Sequence, residues 1–266
     1  MLGRITGFIY GVVCYAISMA MFVYAMGFLA NIGVAKSLDS APYTPFAHAL
    51  AVDFGLLFLF AVQHSVMARQ GFKKMWTKIV PPQVERSTYL LFSSAALLFV
   101  FLKWEPMGGV IWNIESKPGQ YAMYGLYVVG WLVVLAATFL INHFDLFGLR
   151  QVWLNLRGHK YTGLIFRTPG FYRVVRHPLY VGWLMVFWSA PRMTAAHLLF
   201  AVLTTIYILV AIQFEEHDLM QIHPEYSGYR KRVPMLIPIG SSATPSPQIA
   251  ERRSYRAGGR RSPEFD

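Results

Sequence analysis

Four stretches without a lysine, arginine or glutamate dictate the solvent in which this chain folds: Thr6 to Val34, Ala47 to Ala68, Thr88 to Leu102 and Tyr121 to Ile141. Each is near or above the ~17–25 residues a helix needs to cross a hydrocarbon core, the third only marginally. In lipid the backbone polar groups must be satisfied within a helix or a closed barrel, and these runs lack the two-residue alternation of a barrel strand. The fold class expected is therefore all-α, a polytopic helical membrane protein. Composition agrees, because only 14% of residues are charged against roughly 25% in soluble domains. The first run is about twice the ~7–15 apolar residues of a secretion signal and no small-x-small cleavage site follows it, so it is expected to stay as the first span.

A net charge of +11 in a soluble chain would suggest nucleic acid, but here the cations lie between spans. Arg69, Lys73, Lys74, Lys78 and Arg86 fill the second connection; Arg150, Arg157, Lys160, Arg167, Arg173 and Arg176 fill the fourth. The first and third carry only Lys36, Lys103 and Lys117, offset by Asp39, Glu105 and Glu115. The positive-inside rule then puts the N-terminus, the second and fourth connections and the C-terminus in the cytoplasm, facing anionic lipid, with no role in binding nucleic acid. The single cysteine, Cys14, excludes an intramolecular disulfide and a cysteine metal site. Eight histidines scattered singly do not form the tight clusters a di-iron centre needs, so no metal is expected.

After the fourth span, a polar connection from His143 to His177 leads into an apolar pair, Leu179 to Ser189 and Ala195 to Phe214, broken at "APRMT". Pro191 stops the first helix and Thr194 suits the N-cap of the second. The expected architecture is four long spans plus a C-terminal two-helix hairpin, as one membrane domain over residues 1–240. The tail from residue 241 to 266, rich in Ser, Pro, Gly and Arg, is expected to be disordered.

At a rise of ~1.5 Å per residue, the hairpin's first arm runs about 18 Å and its second, from Thr194 to Glu215, about 30 Å. This inequality is expected to bring Arg176 and His177 to the level of Tyr207, roughly 10 Å deeper than Glu215 and Glu216, leaving a slot between basic and acidic groups. Such a slot suits an elongated ligand carrying both signs of charge. The plainer reading has Arg176 snorkelling to phosphate, His177 capping the turn before Pro178, and the glutamates marking where the helix leaves the bilayer.

"RHPLYVG" (Arg176 to Gly182), "EEHDL" (Glu215 to Leu219) and "YSGYRKRVPMLIP" (Tyr226 to Pro238), in that order and around that hairpin, resemble the C-terminal signature of the isoprenylcysteine carboxyl methyltransferase superfamily of integral-membrane methyltransferases. Upstream, "AVQHSVMAR", "PPQVERSTYLLF" and "NHFDLFGLRQVW" resemble its bacterial branch that methylates methanethiol to dimethyl sulfide. The likeness covers roughly residues 1 to 240. It departs at Ile222 and His223, where the family often has Phe-Gly, and Pro224 follows, so that turn is expected to differ.

The resemblance implies S-adenosylmethionine in a cytosol-facing pocket over the hairpin of a bacterial inner-membrane enzyme, with a small volatile thiol as methyl acceptor. It also leaves open another acceptor, such as a prenylcysteine carboxylate or a phospholipid amine, or a noncatalytic membrane role in nitrogen-oxide metabolism. The residues suit the cofactor: Glu215 and Glu216 for its ammonium or ribose diol, Arg176 with His177 beside it for its carboxylate, Tyr180 or Tyr172 for its adenine, and Gly182 for close backbone approach. A thiol must lose its proton to become an effective nucleophile. His64, near the cytoplasmic end of the second span, is the first candidate base, with His143 and Asp145 the alternatives.

Overall fold

The computed structural model describes residues 1–239; the tail assigned above to disorder lies outside the described residues. Five helices among the described residues are long and apolar enough to cross a membrane: α1 (Leu2–Ala30), α2 (Phe46–Ala68), α4 (Pro82–Lys103), α5 (Lys117–Ile141) and α9 (Ala195–Ile222). The chain is an integral membrane protein. Between these run α3 (Gln70–Trp76), α6 (His143–Leu146), α7 (Leu149–Leu156) and α8 (Pro178–Trp188), and α10 (Tyr226–Arg232) follows. The fifth long helix is the hairpin's second arm, which continues past Phe214 to Ile222. The first arm, α8, has 11 residues, too few to cross alone.

The third span is longer than its apolar run, reaching back to Pro82, where a proline at the first helical positions needs no amide partner. It is also the most buried of the five. Its interior face carries Ser87, Thr88, Ser93 and Ser94, and the last three bind neighbouring helices: Ser94 Oγ lies 3.0 Å from Ser18 Oγ, Thr88 Oγ1 3.0 Å from the Tyr10 hydroxyl and Ser93 Oγ 3.2 Å from His64 Nδ1. Small hydroxyl residues let helix backbones approach closely where no hydrophobic drive separates protein from lipid. The low hydropathy that makes this span marginal in the sequence is thus the signature of a central helix.

The hairpin is not a simple turn. Trp188 Nε1 donates to Thr205 Oγ1 at 3.0 Å and Tyr180 donates to Glu215 at 2.9 Å, so α8 ends beside the middle of α9. The first ten residues of α9 project about 15 Å beyond α8. The connector from Ser189 to Thr194 covers that length because it is extended: strand β2 (Arg192–Thr194) pairs antiparallel with β1 (Val110–Asn113) from the α4–α5 connection. Six extended residues reach up to about 20 Å. Thr194 caps α9, accepting from His197 N at 3.1 Å as expected for an N-cap.

Gly182 lies where α8 crosses α5. A Cβ placed there would come within 2.8 Å of Val134 N and 2.9 Å of the Gly130 carbonyl, both backbone atoms that cannot turn aside. The close approach anticipated at Gly182 is thus made by a helix rather than by a ligand. Gly182→Leu is expected to prise α8 from α5 and destabilise the fold by about 1–3 kcal/mol, read as a lower thermal midpoint in detergent; an unchanged midpoint would show that this crossing tolerates a side chain.

On the side away from the basic connections, Asp39 joins the first connection to the hairpin. Its carboxylate accepts from His197 Nδ1 at 3.0 Å, from Asn31 Nδ2 at 2.7 Å and from the Thr194 hydroxyl. Burial by itself would raise the Asp39 pKa, but these donors outweigh it and hold the carboxyl below its usual range. The folded pKa lies below the unfolded value of about 3.9, so this stabilisation is complete above that pH and fades as pH falls through the folded pKa. Asp39→Asn is therefore expected to flatten the loss of stability below pH ~4 while lowering the neutral-pH midpoint; identical acid profiles for the two proteins would contradict the assignment.

Candidate functional site

The segment Arg176–His177 enters α8 along the chain's C-terminal stretch: Arg176 N donates to the Pro234 carbonyl at 2.9 Å and His177 N to that of Met235 at 3.2 Å. Pro178 then opens the helix. Opposite stands Glu216 on α9, 1% exposed. Its Oε1 accepts from Arg176 Nε at 2.6 Å, His177 Nε2 at 3.0 Å and the Tyr226 hydroxyl at 3.3 Å, while Arg230 Nε lies 2.8 Å from Oε2. The expected 10 Å slot does not exist, because the extended connector raises α8 relative to α9 and brings the basic and acidic groups level. Arg176 also gives Nη1 to the carbonyls of Arg230 and Val233, at 2.9 and 2.6 Å. Its Nε and Nη1 are committed to the protein, so both bidentate grips on a ligand carboxylate, Nε with Nη2 and Nη1 with Nη2, would compete with these bonds. Glu216 is a buried tie between α8, α9 and α10.

Glu215 has the opposite environment. One position along α9, its side chain is 43% exposed and accepts one bond, from Tyr180. It opens on a cavity of about 660 Å³ walled by Tyr172, Arg176, His177, Tyr180 and the segment from Thr162 to Pro169. The buried Tyr172 hydroxyl has no hydrogen-bond partner among the described residues. Burial, and after it the neighbouring Glu215 carboxylate, push that phenol up, so it stays protonated as a donor. Phe166 closes the far side, its ring 5.7 Å from Tyr226, 5.6 Å from Tyr229 and 5.5 Å from His223. Tyr229 fixes the wall by donating to the Tyr172 carbonyl at 2.6 Å.

Five of the seven residues expected at a cofactor, namely Tyr172, Arg176, His177, Tyr180 and Glu215, thus share one hollow. Glu216 stands behind it, and Gly182 faces α5 instead. Phe166 and the paired tyrosines of α10 were not singled out in the sequence, although both tyrosines stand in "YSGYRKRVPMLIP". The departure from Phe-Gly has a simple form: α9 ends at Ile222, and His223 takes an extended conformation, φ −126°, that needs no glycine.

The three base candidates have different partners: His143 and Asp145 share α6, whereas His64 stands on α2. His143, 4% exposed, stacks on Phe139 with ring centroids 4.3 Å apart. Thr138 donates its own proton to the Leu135 carbonyl, so it can only accept from His143 Nδ1 at 2.9 Å, and Nε2 is left to accept from Tyr15 at 2.9 Å. Burial holds this imidazole below its usual pKa. Its tautomer is locked. Asp145 is tied to Arg150 Nη1 at 2.8 Å and to the Tyr161 hydroxyl at 3.3 Å. His64 lies between α2 and α4, its ring nitrogens 2.9 and 3.1 Å from the Tyr89 hydroxyl and Nδ1 3.2 Å from Ser93 Oγ. Both partners can donate or accept, which leaves this ring the least committed of the three.

Comparison with known proteins places this architecture. No family model matches the chain, and no solved structure matches it. Among curated proteins, it is 57% identical to the methanethiol S-methyltransferase of Crocosphaera subtropica over 89% of this chain and 93% of that protein. It is 49% identical to the methanethiol S-methyltransferase of Mycobacterium tuberculosis over 86% of this chain and 95% of that one. Nurim of Bos taurus is 31% identical over 66% of this chain and 70% of its own length. Identity at that level, over nearly the whole of both chains, means that the chain belongs to the methanethiol S-methyltransferase family.

Proposed function

We propose that this chain methylates methanethiol to dimethyl sulfide, with S-adenosylmethionine as donor, in a bacterial inner membrane and with its basic side facing the cytoplasm. The observation that carries the reading is the 57% identity across 89% of the chain with a relative of that name. The positive-inside rule supports the orientation.

The cavity suits such a donor. Its volume of about 660 Å³ falls within the ~300–1,000 Å³ of small-molecule sites. The half-open Glu215 carboxylate can accept from an ammonium or from ribose hydroxyls, the unpartnered Tyr172 hydroxyl can donate, and Phe166 with Tyr226 offers aromatic surface to a purine. Arg176 keeps Nη2 for a ligand carboxylate. When bound, the donor supplies a methyl on a cationic sulfur, whose charge a thiolate cancels.

The chain's own part is to hold that group, exclude water with its aromatic wall, and take the thiol's proton. For the last task we assign His64, the least committed of the three candidates. General bases contribute roughly 10²–10⁴-fold, so His64→Phe is expected to cut turnover at least a hundredfold while leaving donor affinity intact; unchanged turnover would move the base elsewhere. An apolar thiol dissolves in lipid and reaches such a site from the bilayer.

The decisive experiment adds S-adenosylmethionine and methanethiol to purified protein in detergent and measures dimethyl sulfide in the headspace, with ethanethiol, hydrogen sulfide, a prenylcysteine and a phospholipid amine in parallel. Product from methanethiol alone or foremost is expected. Methylation confined to the prenylcysteine or the amine would assign a different acceptor, and no binding of S-adenosylmethionine or S-adenosylhomocysteine at millimolar ligand would end the enzymatic reading.

A further inference from the structure

A second hollow, of about 700 Å³, opens where α1, α4 and α5 meet the basic connections. Its walls carry Arg4, Lys73, Arg86 and Lys160 against two carboxylates, Glu85 and Asp145. Asp145 is already engaged by Arg150 and Tyr161. Arg86 is oriented by its Nε bond to the Leu146 carbonyl, at 2.8 Å, and by stacking 4.8 Å from the centre of the Tyr89 ring, which leaves both Nη groups uncommitted. Arg4 lies over Gly158, a residue at φ +78° whose missing side chain makes room for the guanidinium: a Cβ there would stand 3.0 Å from Arg4 Nη1.

Among the described residues the side chains of Arg4, Lys73 and Lys160 make no hydrogen bond or ion pair. Lys73 is half-buried, and its ammonium is disfavoured first by burial and then by the Arg86 charge. Four cations thus share a concave site with Glu85 and with an Asp145 that Arg150 already engages, so positive charge is in excess there. A buried acceptor is also left over, Gln151 Oε1, which has no donor.

The surroundings indicate where the anion comes from. Leu2 and Ile5 flank Arg4 at 80% and 39% exposure, and Ile79, just before α4, is 78% exposed. Apolar side chains this open, at the ends of spans, mark the boundary between headgroups and acyl chains. We propose that this hollow binds a phosphate group carried by a lipid headgroup, with Arg4, Lys73 and Arg86 around the phosphate and Gln151 accepting from a headgroup hydroxyl. The site is distinct from the Glu215 cavity, although Ile141 and Leu164 stand in the wall of both.

The test titrates the purified full chain in nonionic detergent with dihexanoyl phosphatidylglycerol, dihexanoyl phosphatidylcholine and inorganic phosphate, following the thermal midpoint. Phosphatidylglycerol is expected to act saturably at a concentration at least tenfold below phosphatidylcholine. Arg4→Gln with Lys73→Gln is expected to erase that preference. Lys74→Gln with Lys78→Gln removes the same charge from exposed positions outside the hollow and is expected to preserve it. If the first double variant does not fold, Lys73→Gln alone is read in the same way. Inorganic phosphate matching phosphatidylglycerol would keep the site and make its ligand a free phosphate. No preference for the anionic lipid, its survival in the Arg4 and Lys73 variant, or its equal loss in the Lys74 and Lys78 variant would overturn the proposal.

Discussion

Glu216→Gln is expected to destabilise the folded chain by about 3–5 kcal/mol, the range for breaking a buried ion pair from one side. The carboxylate is 1% exposed and is approached by Arg176, His177, Tyr226 and Arg230. Glutamine keeps the shape but removes the charge, leaving Arg176, whose side chain is 9% exposed, with uncharged acceptors and no ion-pair partner among the described residues. The expected observation is a large fall in the midpoint of thermal or denaturant unfolding in detergent, together with early release of the C-terminal segment, detected as proteolytic cutting near α10. A midpoint equal to that of the parent chain would mean that Glu216 does not tie these elements together.

The neighbouring substitution should behave in the opposite way. Glu215→Gln removes a carboxylate that is 43% exposed and holds one internal bond, from Tyr180, so the unfolding midpoint should barely move. Its effect belongs to the ligand. A hydrogen bond to a charged group contributes roughly 1.5–3 kcal/mol, which corresponds to about a 10–100-fold weaker affinity for S-adenosylmethionine by calorimetry. Adding Tyr172→Phe should weaken binding further, since that phenol's hydroxyl has no internal partner to lose. Parent-like affinity in Glu215→Gln would place the donor outside this cavity. Two adjacent glutamates thus predict two separable phenotypes, one of stability and one of binding.

That separation was not legible in "EEHDL". Consecutive helical residues point about 100° apart, so one of the pair was bound to face differently from the other, but which one faced the hollow depended on where α8 lay. The level of α8 depended in turn on "SAPRMT" being extended and pairing with β1, an interaction between residues some eighty positions apart. A turn of ordinary compactness would have left the slot that arm lengths alone suggest. Gly182 shows the same limit: glycine in a helix announces a close approach, but not whether a ligand or a neighbouring helix makes it.

His143 is a further instance. In the sequence it is a titratable group beside an aspartate. In the structure Phe139, Thr138 and Tyr15 box it in from two helices, and no local pattern encodes Tyr15, 128 positions away.

What the amino-acid sequence determined by itself was everything governed by local chemistry and the solvent: the helical class, the first four spans, the gathering of cations into alternate connections, the break at Pro191 and the cap at Thr194. Each follows from a dozen or so neighbouring residues, because lipid forces every span to satisfy its own backbone. Only the tertiary structure decided how far one helix slides along another, and with it which charged groups neutralise each other and which face an open cavity. Axial register is set by contacts between distant segments, here the β1–β2 pair and the Gly130–Gly182 crossing, and a one-turn slip of about 5.4 Å would exchange the partners of every group at the site.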